Sequence, residues 1–577
     1  MSLSTFRHGV YYSESSTETS PEVQYGQIPV YIGIAPINLA TKPADANKPV
    51  LISSLSEFRE KFGYTEDFSY TLCETACYHF KEAEIAPILC INVLDATKSK
   101  FVDSAQSAIV KKDGSIFTMS VKGVIQSSIS VKGIVGYTDG DENNKIQLAE
   151  ATELNSGATV GKFIYQGYDI VNTATTGYEE VVNTTPSDGE ISLEDAQAKN
   201  PNATVGDFIA IEQSYLLSNT TVTGAKEIIA NYTSLVASDY ILSFDTDGNL
   251  VITPEADGNI TSTMNALQVS FSKIKPSAVT STDIIGTVDT STGNRTGLQA
   301  IDYILGEIGQ PPGMLLAPGF SHIPVVAQAF IEKSQEVSGN FPALVIADID
   351  SSSAGSPYSG TVKTWKDNNG YNFVDLVVCY PMAKVGDKVF HLSTIVAATK
   401  QATLKEDSAF GTPCESPSNR KTSITSLVNM NGDEIYIDKT TANFLNHSGV
   451  VTALKKAFDF VVWGNNTSVF PEDNHPKNCW ISTRSLYHYL VDIVIMTHWA
   501  KIDARSTDIQ IQNVEDTVNN WMNSLANNNI LKEGSCSYLG SENVATENKV
   551  QYEITWADYK PAQSYDFTFK FNANAYV

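Results

Sequence analysis

IPVYIGIAP, residues 28–36, decides the class of fold. Seven of its nine residues are aliphatic, aromatic or glycine, with no polar alternation, and a proline closes it. That is the pattern of a strand covered on both faces, as in a parallel sheet flanked by helices. The segment that follows supplies the first helix. SSLSEFREKFG (53–63) sets Ser54 at a cap, Glu57 three residues on and Gly63 at the end. A second helix is predicted over Tyr70 to Lys81, and Ile85 to Leu94 is again strand-like. Strand, helix, helix, strand is an α/β beginning.

The composition then changes. Between Lys98 and Asp289 there is no Cys and no Arg, and 12 Lys stand against 24 Asp plus Glu, a net charge of −12 within the chain's −26. Short alternating runs broken by Gly, Asp and Asn read as β-structure, with Asp247-Gly248 and Asp257-Gly258 as hairpin turns. LAEATELNSGATVGKFI (148–164) is repeated as LEDAQAKNPNATVGDFI (193–209). Two copies are too few for a solenoid and read as a duplicated β-unit in a surface domain.

The α/β texture resumes after Asp289. Gly297 to Gly306 and Ile323 to Lys333 are predicted helices, and Met314 to Ala317, PALVIADID (342–350) and FVDLVVCYP (373–381) predicted strands. The expected fold is therefore α/β plus β and multidomain. Residues 1–20 form an N-terminal arm, and 21–97 with 290–445 a discontinuous α/β core. An acidic β-rich domain, 98–289, is inserted in it. An α+β C-terminal domain, 446–562, and a C-terminal strand arm, 563–577, complete the chain. In the last quarter Arg484 to Lys501 is apolar on nearly every side and expected to be buried, while Val514, Val518, Trp521, Met522 and Leu525 mark an amphipathic helix. Val550, Tyr552, Ile554 and Trp556 alternate with polar residues. So do Tyr565, Phe567, Phe569 and Phe571, as one face of a final strand.

At 577 residues and −26, with no Lys/Arg run, the chain lacks the basic face that a phosphate-tracking protein needs. Seven cysteines without a short framework spacing read as reduced thiols. MSLSTFRHGVYYSESS (1–16) has no charged segment followed by an apolar run, and the apolar stretch 486–500 is too short and too polar to span a bilayer, so a cytoplasmic site of synthesis is expected.

Sites for chemistry are poorly motivated. Cys73 and Cys77 would share a helix face, but His79 points elsewhere, and His475 and Cys479 are separated by Pro476, so buried thiols are the reading and a metal site is not. The loops at Asp139 and Asp245 lack the twelfth-position Glu of a calcium loop. AGSPYSG (354–360) has the wrong spacing for a nucleophile elbow. No phosphate-cradling glycine motif occurs, and neither a catalytic residue nor a cofactor is expected.

The ends of the chain carry more. A terminal alternating strand with one aromatic face, and an N-terminal arm bearing Phe6, Val10 and Tyr12, suit strand addition to a neighbour, a head-to-tail contact that propagates as rings or filaments. With these, HGVYYSES (8–15), IPVYIGIAP (28–36), SSLSEFREKFG (53–63), MLLAPGFS (314–321), ALVIADID (343–350), VVWGNNTS (461–468) and STRSL (482–486) resemble, in order, the contractile tail sheath proteins of phages and related injection particles. KEAEIAP (81–87) stands where many members have a Gly-rich turn, and Asn466 where Arg is common.

The resemblance implies a structural, non-enzymatic subunit without a cofactor. It would stack as six-membered rings around an inner tail tube and drive that tube into a target envelope by contracting. The implied partners are further copies of itself, the inner tube protein, and baseplate and tail terminator proteins, with no nucleic acid and no membrane insertion. Assembly would take place in a bacterial cytoplasm, for a phage tail or a released tail-like particle. Phe6, Val10, Tyr12, Tyr565, Phe567, Phe569 and Phe571 would be the inter-subunit arm contacts, Arg484, Lys501 and Arg505 the charges facing the tube, and the insertion would face outward. The alternative is a surface adhesin or spike whose β-rich insertion binds a receptor or glycan.

Overall fold

The apolar run at 28–36 is explained by where it lies. The computed structural model describes residues 28–138, 227–245, 247–262, 264–544 and 547–572, together with six short strands between 145 and 223. Its largest sheet has nine strands: β1 (Pro29–Gly33), β2 (Pro49–Ile52), β3 (Ile88–Asn92), β4 (Met314–Leu316), β5 (Leu344–Asp348), β6 (Leu376–Cys379), β7 (Lys421–Thr422), β8 (Val450–Lys456) and β9 (Asp459–Trp463). Their spatial order is β2-β3-β1-β4-β5-β6-β8-β9-β7. Every ladder from β3 to β8 is parallel, and the flanking ladders are antiparallel. β1 is interior, with Tyr31 opposite Cys90 on one side and Leu316 on the other, and all five of its residues are buried.

Helices cover the sheet. α1 (Leu55–Phe62) starts at Ser54, whose side chain accepts from the Glu57 amide, while the Glu57 carboxylate accepts from the Ser53 amide. It ends at Gly63, φ 72°, where a Cβ would lie 2.2 Å from the Pro36 carbonyl oxygen. The predicted second helix is α2 (Thr71–Cys77) followed by a π-helical turn, Tyr78–Glu82. After β4 come α3 (Pro324–Ser334), α4 (Thr361–Asn368) and α5 (Leu392–Ala402), and the first ten residues of α5 are buried. The expected helix from Gly297 is a 3-10 helix, Gly297–Tyr303, continued by the α-helix Ile304–Ile308.

Between β3 and β4 the chain builds an eight-stranded antiparallel sheet. Its outgoing strand, Val102–Asp113, and its returning strand, Met264–Ile274, pair with each other from Val102↔Ile274 to Lys111↔Ala266. Departure and return are therefore neighbours, and in the α/β sheet β3 and β4 flank β1. Ion pairs stand at this root, Lys275–Asp103 at 3.3 Å and Lys100–Asp283 at 2.6 Å. A separate core of Val110, Phe117, Leu250, Ile252, Leu267 and Val269 fills one side of the sheet.

Asp247-Gly248 lies in the hairpin joining Tyr240–Phe244 to Leu250–Pro254, and Gly248 has φ 82°. Asp257-Gly258 is a turn but not a hairpin, because Leu250–Pro254 and Met264–Ile274 each pair with other strands. Instead the Asp239 carboxylate takes the amide and side chain of Asn259, and this fixes the connection. Most of the internal repeat lies outside the described residues. Its two Phe-Ile pairs fall in the short strands Phe163–Tyr165 and Phe208–Ile209, which belong to different sheets.

Candidate assembly surface

The last quarter is held to the α/β sheet by α6 (Ile481–His498). Its apolar surface runs almost all round because it is packed from two directions. Ile481, Ile495 and Met496 touch the large core, while Leu486 and Leu490 belong to a second, small core with Val518, Met522 and Leu525. Its last turns emerge from cover, and Trp499 is 45% exposed. Burial of the whole 484–501 stretch, expected from its composition, therefore holds only for the first half. The N-terminal end is fixed by the two motif segments that precede and open it. Asn465 exchanges hydrogen bonds with Ser482, and the Ile481 amide donates to the Asn465 carbonyl. Ser468 binds the Phe373 backbone and, through its carbonyl, the buried Lys366 ammonium at 2.6 Å.

Arg484, expected as a charge directed at the tube, is instead buried. Its guanidinium forms a two-point pair with Asp375, Nε–Oδ1 2.6 Å and NH2–Oδ2 2.9 Å, with both side chains almost wholly buried. His488, one turn on, brings Nε2 to 2.9 Å from Asp375 Oδ1. Burial alone would raise the Asp375 pKa; His488 and Arg484 outweigh it and hold the carboxyl down at about 2. The helical period puts Arg484 on the sheet side, and its partner is 109 residues away in sequence. Asp492, two turns further on the same side, is pushed up to about 8 by burial. Lys501 and Arg505, the other two candidates, are exposed, in a connection that also exposes Ile502 and leads to exposed Ile509 at the start of the next helix.

α7 (Asp508–Asn527) follows, opened by a reciprocal cap between Thr507 and Gln510, and it buries Val518, Met522 and Leu525. Against it lies one long hairpin, β10 (Leu531–Val544) and β11 (Glu547–Asp558). Tyr552, Ile554 and Trp556 are half-buried on the small core, as their alternation predicts. Among the described residues this is a two-stranded sheet, with no third strand at either edge.

Beyond Tyr559 the described chain, to residue 572, carries no strand assignment. Tyr565, Phe567, Phe569 and Phe571 are 76%, 79%, 95% and 81% exposed. The alternation predicted a strand, and among the described residues the segment pairs with no strand. Phe6, Val10 and Tyr12 lie outside the described residues.

The residues considered for metal or catalytic chemistry have other occupations. His79 Nε2 is 2.7 Å from the Tyr31 hydroxyl, and burial pushes its pKa down to about 4. Cys73, Cys77 and Cys90 are buried free thiols. His475 caps the short helix Pro476–Cys479, and Asp245 binds the amides of Asp247 and Asn249 as a turn. No group of three or more His, Cys, Asp or Glu side chains suited to a metal ion occurs among the described residues.

Ligands of open α/β sheets sit outside the carboxyl ends of the strands where the strand order reverses, here between β1 and β4. Polar side chains at this side of the sheet pair with one another. Glu74 of α2 accepts from the His391 amide at 2.6 Å and pairs with His391 Nδ1 at 2.8 Å. Asp348 accepts from the Ser393 amide at 2.9 Å and the Ser393 hydroxyl at 2.5 Å. Burial would lower the His391 pKa, but the Glu74 carboxylate outweighs it and raises it to about 9.

No family model matches the chain. The tail sheath protein of Burkholderia phage BcepMu is 24% identical over 237 residues, 40% of this chain and 48% of that protein. The chain thus spans about half the length of the curated relative it matches. Among solved structures, the sheath tail protein of Desulfitobacterium hafniense is 9% identical, with 96% of this chain and 100% of that one covered and a TM-score of 0.41. That of Listeria innocua is 10% identical, with 92% and 95% covered and a TM-score of 0.39. The contracted helical sheath of the anti-feeding prophage is 16% identical, with 50% and 76% covered and a TM-score of 0.36. On its ordered motifs and on the phage relative, the family that this chain resembles is that of the contractile tail sheath proteins.

Proposed function

We propose that this chain is the structural subunit of a contractile sheath, which polymerises around an inner tube and drives it into a target envelope. The observation that carries the reading is the pairing of an incomplete sheet with an unplaced strand. β10 and β11, 14 and 12 residues long, form a two-stranded sheet among the described residues. Two strands are at the margin of stability and leave both edges open to a further chain. Next to them in sequence is an alternating aromatic segment that its own subunit leaves exposed. Strand addition between copies satisfies both: the backbone supplies the ladder and the Tyr565–Phe571 face the register. The donor is the acceptor's neighbour, so the contact is heterologous and repeats without closing on a pair.

In this reading residues 21–97 and 290–445 are the α/β core, which the structure extends beyond the expected boundary because β8 and β9 (450–463) belong to its sheet; 98–289 faces outward, the rest of 446–562 faces the tube, and the two arms link neighbours. Lys501 and Arg505, beside exposed Ile502 and Ile509, are the tube-facing charges. The partners are further copies in stacked six-membered rings, an inner tube protein, a baseplate and a tail terminator. Assembly is in the cytoplasm of a bacterial host, and neither catalysis nor a cofactor is involved.

The test is negative-stain microscopy of the full-length chain beside one ending at Pro561. Hollow, helically ridged tubes from the first and none from the second are expected. Compact, monodisperse particles from both, across a range of salt concentrations, would overturn the proposal.

A further inference from the structure

One turn in the chain breaks its local rules. β8 and β9 are joined by two residues, Ala457 and Phe458, between the paired Lys456 and Asp459. Two-residue hairpins with a positive φ at the first central position favour glycine there. This chain has Ala457 at φ 56°. The second central residue is Phe458, 96% exposed, among the most exposed large apolar side chains described. Local conflicts without a gain inside the subunit concentrate where a surface has another task.

The charge around the tip is also out of character. Lys455 and Lys456 come shortly before Phe458 in sequence, Asp459 follows it, and Lys421 of the neighbouring β7 pairs with that acid, in a chain whose net charge is −26. Lys421 pairs with Asp459 at 3.0 Å, Lys456 reaches the Asn419 side chain at 3.1 Å, and Lys455 lies 5.9 Å from the Phe460 ring centroid. The hairpin stands at the β9–β7 side of the nine-stranded sheet, whose last strand is only two residues long.

We propose that the Lys455–Asp459 hairpin tip is a subunit contact that sets Phe458 and the lysines next to it in the hairpin into the acidic surface of a second copy of this chain. The proposal rests on the assembly reading above and names a contact separate from the terminal arms. Charge complementarity selects the occupant: a chain this acidic repels copies of itself over most of its surface, and a basic knob with an apolar centre gives one orientation that attracts. Phe458 supplies the buried anchor and the lysines the steering.

Two measurements on the full chain test it. First, heavy- and light-isotope chains are mixed and coupled with a zero-length carbodiimide. Amide bonds between Lys455 or Lys456 of one copy and a carboxylate of another are expected. Because this is read in any oligomer, it stands whether or not tubes form. Second, the protein concentration needed for assembly is compared for the wild type, Phe458→Ser, and Lys455→Glu with Lys456→Glu. Each variant should need about tenfold more protein or worse. Ala457→Gly, which relieves the backbone and keeps the knob, should assemble as the wild type does.

If the wild type forms no tubes while the mixed-isotope link is found, the sheath reading falls and the contact survives. If tubes form, the variants match the wild type within twofold and no link from these lysines appears, the contact falls and the sheath reading survives. Loss of binding to phosphatidylserine vesicles in the tip variants, with assembly unchanged, would overturn the proposal in favour of a membrane contact.

Discussion

Replacing Arg484 by Met should destabilise the attachment of α6 by about 3 kcal/mol near neutral pH. Removing one partner of a buried ion pair costs about 3–5 kcal/mol, because the remaining charge is left without compensation. Here His488 still lies 2.9 Å from Asp375, so the lower end applies. A second route gives a similar size. The Asp375 carboxyl is held at about 2 against an ordinary 3.8, and a shift of that extent corresponds to about 2–3 kcal/mol. The folded value lies below the unfolded one. This stability is therefore present above about pH 4 and lost as the pH falls toward 2. In the variant the buried, less compensated carboxyl takes a proton more readily, so its deficit should shrink on acidification.

Pairing Arg484→Met with Asp375→Leu removes both charges and should restore most of the loss, since two apolar groups of similar size need no partners. The chain has more than one cooperative core, so a global melt would mix them. Hydrogen exchange of peptides spanning 481–498, followed through a urea series, isolates the relevant opening. A single variant within about 1 kcal/mol of wild type, or a double variant as unstable as the sum of its parts, would refute the argument.

Other outcomes follow from the same geometry. The Glu74–His391 link between α2 and α5 depends on a protonated imidazole whose pKa is raised to about 9, so its contribution is complete below about pH 6.5 and lost as the pH rises through 9; exchange at the start of α5 should accelerate over that window in the wild type and be insensitive to it in His391→Gln. Gly63→Ala should cost about 2 kcal/mol or more, because its Cβ would meet the Pro36 carbonyl at 2.2 Å and φ is 72°, readable as a lowered urea midpoint for the α/β core. Lys501→Glu with Arg505→Glu, both exposed, should leave thermal unfolding within about 0.5 kcal/mol of wild type and abolish co-sedimentation with preformed inner tubes; unchanged co-sedimentation would remove them from the tube contact.

Local chemistry was legible where a segment carries its own reasons. Nine residues at 28–36 with no polar alternation can only be covered on both sides, and Ser54, Glu57 and Gly63 contain both ends of α1 within eleven residues. The change of composition after Lys98 marks a different kind of sheet, since alternation follows from one covered face. Asp257-Gly258 misled because a turn dipeptide reports a reversal and not which strands pair across it. Lys439–His447 and α5 were not anticipated: α5 is buried through its first ten residues, polar ones included, so its sequence does not divide into a core face and a solvent face.

What the sequence alone determined about this protein is therefore local: which runs are covered, where helices start and stop, and an ordered set of motifs. The tertiary structure decided everything that depends on a partner far along the chain. Arg484 looks like any surface cation until Asp375, 109 residues away, is seen to hold it in the core. The aromatic alternation at 565–571 looks like a finished strand, yet it joins no sheet among the described residues, because strandedness is a property of a pair and a sequence lists only one member. Phe458 is an ordinary hydrophobic residue in the sequence and a bare tip in the fold, since exposure is set by what packs around a residue and not by its identity.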